Sequence, residues 1–166
     1  RKTVSLFLAV LMVAMLALGA TAMAEVKLGQ AVYAAHGTKA FCVATVAMNG
    51  DVIESALIEE FQFLGEGFEG VPNPESFTNA EGSVLGSKRA NDEAYPTAMA
   101  GAGATQSLVT SYEAIEAFAE GKTVAELEEA INGKTKEEMV DAVSSSTLVD
   151  TLGYIEAIIA AANNVK

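Results

Sequence analysis

The sequence predicts an α+β domain: a small antiparallel sheet, formed by an N-terminal meander, packed with C-terminal helices. Three observations carry this expectation. Residues 40–48 are rich in small and β-branched side chains. Asn49-Gly50 directly after them is a strong hairpin signal, because both residues tolerate positive φ. Three Thr-x-x-Glu boxes, at Thr110, Thr123 and Thr135, then mark helix starts in the last third of the chain.

Residues 1–24, ahead of this domain, read as a secretory signal peptide. Arg1 and Lys2 form a basic start, residues 4–18 an almost unbroken apolar run, and Ala22-Met23-Ala24 a cleavage pattern. The run is shorter than the roughly 20 residues that span a bilayer. Cleavage before Glu25 is therefore expected, with no stable membrane anchor afterwards. The expected location is extracytoplasmic: secreted, periplasmic or in the cell envelope.

Residues 25–166 are enough for a single domain with its own core. Without Arg1 and Lys2, 8 basic residues face 22 acidic ones, a net charge of −14. Phosphate backbones and anionic lipid heads repel such a chain, so nucleic acid and membrane surfaces are not expected partners. Cys42 is the single cysteine and cannot form an internal disulfide. Its place in a strand pattern makes it a buried thiol. No Cys/His cluster offers a zinc site. The lone His36, before Gly37-Thr38, reads as a turn residue.

Residues 30–35 read as a first short strand, residues 36–39 as a turn, and residues 51–63 as the strand after the hairpin. In that strand neither alternating face is cleanly apolar: Ile53, Ser55, Leu57, Glu59 and Phe61 share one, Val52, Glu54, Ala56, Ile58 and Glu60 the other. Residues 65–110 are punctuated by glycines and by Pro72, Pro74 and Pro96. So long a stretch without structure is unusual in a domain. A short helix near residues 91–100 is expected, with Phe68, Phe77 and Tyr95 packing locally. Helices follow at residues 111–120, with Ile115 and Phe118 inward, and at residues 124–132, with Val124, Leu127 and Ile131 inward. A brief turn at residues 136–140 precedes a final helix over residues 152–163, whose stripe is Ile155, Ile158, Ile159 and Ala162.

Between the last two elements lies Asp141-Ala142-Val143-Ser144-Ser145-Ser146-Thr147, followed by Thr151-Leu152-Gly153-Tyr154. This block resembles the flavin-attachment signature of FMN-binding domains, Asp-x-x-Ser/Thr-Gly-Ala-Thr. The resemblance extends to the hairpin around Asn49-Gly50, roughly half of residues 25–166 in all. It implies an exported electron carrier, with FMN joined by a phosphoester to Thr147 and with Asp141, Ser144, Ser145 and Ser146 forming the attachment loop. The implied partners are a flavin transferase and a redox donor or acceptor.

The chain departs from the signature at two positions, with Ser145 for Gly and Ser146 for Ala. A second Gly103-Ala104-Thr105 has Ala102 and Met99 where the signature needs a hydroxyl residue and Asp, so Thr105 is not a candidate. The setting suits a phosphate: small neighbours permit close approach, and a helix N-terminus follows. Ser, Thr and Asp also favour such places simply because they hydrogen-bond nearby backbone. No acid–base pair, nucleophile elbow or phosphate loop is present, so a redox carrier or binding module is expected rather than a free-standing enzyme. The alternative is a non-catalytic extracytoplasmic binding protein on the same scaffold, without flavin, using residues 65–110 to hold a small molecule or a cell-envelope partner.

Overall fold

A computed structural model describes residues 25–72, 77–95 and 105–166. The expected signal peptide, Pro74, Pro96 and Gly103-Ala104 lie outside them. Four strands, β1 (Val26–Tyr33), β2 (Ala40–Asn49), β3 (Val52–Leu64) and β4 (Val84–Ser87), pair antiparallel in the order β1-β2-β3-β4. Four helices follow: α1 (Leu108–Ala119), α2 (Val124–Ile131), α3 (Lys136–Ala142) and α4 (Thr151–Asn163). The expected α+β architecture, with meander first and helices last, is the architecture observed.

The β2–β3 hairpin differs in detail from its sequence signal. Asn49 pairs with Val52, so the two-residue loop is Gly50-Asp51, with Gly50 at φ +61°. A Gly at the first central position is one of the two favoured hairpin solutions. A register shift between Ala47 and Met48 marks a bulge. It explains why β3 reads badly as an alternating strand. The bulge changes the phase, so Ile53 points inward together with Ala56, Ile58 and Glu60.

β4 was not visible in the Gly-rich stretch; it pairs with residues 61–64 of β3. The helix expected near residues 91–100 is a single 3₁₀ turn, Asp92–Ala94, in the described part. Phe68 packs against Tyr95 with ring centroids 5.1 Å apart, while Phe77 stacks on Phe63 at 6.1 Å.

Helix starts follow capping chemistry, with one correction. Thr123 and Thr135 each form the complete reciprocal box with Glu126 and Glu138. Thr110 does not cap α1; Ser107 does, accepting from the Thr110 N–H at 3.1 Å, so the helix begins one turn early. The brief turn expected at residues 136–140 is the helix α3.

All the packing between layers falls on one face of the sheet. α4 lies across β1 and β2, and α1 against β3. Ile115, Leu127, Met139, Ile155 and Ile158 are fully buried between them, with Cys42, Ala44 and Ile58 from the sheet. Each large aliphatic side chain contributes about 1.5–3 kcal/mol by leaving water. Burial and the nearby Glu60 push the Cys42 thiol up to about 11, so it stays protonated in the core. Small residues set how closely α4 approaches. A Cβ on Gly29 would meet the Ala161 carbonyl oxygen at 2.1 Å, and one on Gly153 the Ala35 carbonyl oxygen at 2.6 Å.

Candidate functional site

The signature block spans the end of α3, a loop, and the start of α4. Asp141 is on α3 and exposed; Ser144 and Ser145 are exposed in the turn that follows. The Ser146 N–H closes that turn on the Val143 carbonyl at 3.1 Å. Ser145 sits at φ +71°, the one left-handed non-glycine among the described residues. Glycine enters that region without the cost a Cβ brings. Ser145→Gly is therefore expected to raise stability by up to about 1 kcal/mol, measured by urea unfolding. A clear loss would mean that the serine side chain holds the turn.

Ser146 faces inward. Its buried hydroxyl lies 2.9 Å from Thr151 Oγ1, which donates to the Leu148 carbonyl at 2.6 Å. These bonds fasten the loop to the first turn of α4. Thr147 is half-buried against the start of α1. Its N–H donates to Ser111 Oγ at 3.4 Å, and its Oγ1 accepts from the Gln106 N–H at 3.3 Å. Of the five signature residues, Thr147 alone lines the cavity formed with His36, Lys88, Tyr95 and Tyr154.

That cavity has a volume of about 250 Å³. Thr147, Leu148 and Val149 form one wall, with Leu108 from the head of α1. Tyr95, Tyr154 and Lys88 form the interior side, and His36, Gln62 and Asp150 complete the lining. His36, expected only to shape a turn, also reaches across to Asp150, its Nδ1 lying 2.6 Å from Oδ2. Lys136 Nζ meets the other oxygen at 2.5 Å. Partial burial works against the Asp150 carboxylate, but the hydrogen bonds from Lys136 and His36 outweigh it and lower its pKa. Because Asp150 is engaged this way, it makes no side-chain cap on α4.

Behind the cavity lies a buried polar cluster that the sequence did not reveal. Glu60 projects inward from β3, and its Oε2 lies 2.5 Å from Lys88 Nζ. The same oxygen accepts from Tyr112 at 2.9 Å and Tyr154 at 2.8 Å. Burial first, and then the Glu60 charge, joined for Tyr112 by that of Tyr154, raises both phenol pKa values, so these hydroxyls remain donors. Burial and Glu60 also push Tyr95 up to about 12. Among the described residues two buried side-chain polar atoms have no hydrogen-bond partner, Glu60 Oε1 and Tyr95 Oη. The next residue along, Arg89, binds Glu116 at 2.6 Å and the Ile58 carbonyl, tying the segment after β4 to α1 and β3. One trace of this was in the sequence: Lys88-Arg89 is an adjacent basic pair in a strongly acidic chain.

Fold and site together define an α+β domain with a hydroxyl-bearing loop over a small, tyrosine-lined cavity. Comparison of the chain with protein-family models, curated proteins and solved structures finds no match.

Proposed function

We propose that this protein is an exported electron-transfer module of the FMN-binding-domain type, carrying FMN on Thr147. The observation that supports it most is the position of Thr147. It is the one signature residue on the wall of this cavity, and among the described residues its hydroxyl donates to no partner. The left-handed backbone at Ser145 adds support, since it matches the glycine of the signature.

The residues present fit the group. Thr147 would hold the phosphate as an ester, with the first turn of α4, left without a side-chain cap, close to it in sequence. The Asp150 charge, unfavourable to a phosphate, is balanced by Lys136. Tyr95, Tyr154, Leu108 and Leu148 offer apolar and aromatic wall to a planar ring. The volume lies just below the usual 300–1,000 Å³ of ligand pockets, so part of a flavin would stay exposed, as exchange with a redox partner requires. Bound flavin supplies one- or two-electron transfer. The chain's own task is to orient it, shield it on one side and set the charge around it. A flavin transferase would load Thr147 after export.

Intact mass spectrometry of the exported protein from a transferase-positive host tests this. The expected result is a mass increase of one FMN less the water lost in forming the phosphoester, which Thr147→Val abolishes. An unmodified chain, in a host that modifies a Gly-Ala-Thr control, would defeat covalent attachment.

A second reading, a small-molecule binding module without flavin, draws on the Gln106 N–H that already occupies an acceptor site of Thr147 Oγ1. Titrating FMN into the purified protein separates the two. Saturable quenching of flavin fluorescence favours the first, and no binding favours the second.

A further inference from the structure

We propose that the outward face of the sheet is a self-association surface, on which two copies of this chain stack sheet against sheet. The helices cover only the inner face. On the other face the cross-strand pairs Leu28–Ala47, Val32–Val43, Phe41–Phe61 and Phe63–Leu85 lie side by side. Leu28, Val32, Phe41, Leu57, Phe63 and Phe77 remain 39–68% exposed there.

The area is what a second copy needs. Large side chains have about 150–250 Å² each to bury, so these six leave on the order of 600 Å² of apolar surface. Monomers rarely leave a contiguous patch larger than a few hundred Å². A standard interface takes about 800 Å² per partner, which the partly exposed Val43, Phe61 and Leu85 between these residues help to supply.

Charge and topology narrow the surface on which two copies can meet. Residues 25–166 carry a net charge of −14, which opposes contact between copies over most of the surface. Within the paired outward positions of β1–β4 the one carboxylate is Glu59, already bonded by Ser87 Oγ at 2.7 Å. Association by strand addition is blocked at both edges. The Lys166 N–H and the Asn164 side chain bond to β1, and Val71 and Phe77 bond to Leu85 of β4. The face is what remains. A groove of about 340 Å³ beside Phe41, Phe61 and Phe63 gives it relief for interdigitation, as in sheet sandwiches.

The inference does not depend on flavin. Sedimentation velocity of the purified protein over a concentration series tests it. The expected result is a monomer–dimer equilibrium, weakened at least about 100-fold by Val32→Lys with Leu57→Lys, since each charge enters a two-fold interface twice. Both positions are already exposed, so far-UV circular dichroism should stay unchanged, as should the urea midpoint at concentrations where the wild type is monomeric. Wild-type protein that remains monomeric throughout, as it would if the face served another protein, overturns the proposal. So does a dimer that the paired substitution leaves intact.

Discussion

Replacing Lys88 by Met should cost the domain about 3–5 kcal/mol, a large share of the 5–15 kcal/mol typical of a domain. The Lys88 side chain is 5% exposed and that of its partner Glu60 is 0%. Met matches the length of Lys and keeps much of its packing, so the loss falls on the charge. Glu60 would keep the two tyrosine donors on Oε2, but its buried charge would have no counterion, and Oε1 already has no partner. Taking a carboxylate out of water is expensive, and removing one partner leaves that cost uncompensated. Urea unfolding measures the effect. The decisive comparison adds Glu60→Gln to Lys88→Met. If the buried charge dominates, the double variant recovers much of the loss. If packing dominates, it is no better than Lys88→Met alone. A single-variant loss below about 1 kcal/mol would mean that the pair is water-screened in solution, as surface pairs are.

Gly153→Ala should destabilise the protein by about 1–3 kcal/mol, against the sign that helix propensity predicts. Gly153 is the third residue of α4, where Gly to Ala on propensity alone gains about 1 kcal/mol. The added Cβ, however, would meet the Ala35 carbonyl oxygen at 2.6 Å and its Cα at 3.1 Å. Both are backbone atoms of the β1–β2 connection, so no side-chain rotation relieves the contact. The head of α4 must move outward, and Leu148–Asp150 move with it because Thr151 anchors them through the Leu148 carbonyl. The contact between His36 and Asp150 across the same junction should weaken, and hydrogen exchange in the Thr147 loop should rise. A more stable Gly153→Ala would show that this approach is looser than observed. The glycine therefore has a physical role in the signature block: it lets the helix that follows the loop press against the sheet.

The local grammar of the chain was readable in advance. Asn49-Gly50 announced the hairpin, whose loop falls one residue later on Gly50-Asp51, and the Thr123 box announced a helix, because turn dihedrals and capping bonds join residues three or four apart. The Thr135 box caps a helix where only a brief turn was expected. Where two local signals competed, the outcome was less clear: Ser107 capped α1 instead of Thr110, three residues away.

Tertiary structure decided the rest. Glu60 looks like an ordinary strand carboxylate until the bulge at Ala47/Met48 sets the phase of β3, and its partner Lys88 lies 28 residues further along the chain. β4 emerges from a Gly-rich stretch because β3 offers it an edge, and Gly86 suits that place because a Cβ would meet the Glu69 carbonyl oxygen at 2.6 Å. The cavity beside Thr147 is assembled from the β1–β2 turn, β3, the segment after β4, α1 and α4. By itself the sequence determined the meander-then-helices order, two of the helix caps, and the loop that bears Thr147. Which carboxylate is buried, what neutralises it, and what the Thr147 hydroxyl faces follow from contacts between distant residues, and burial energies exist only once those contacts form.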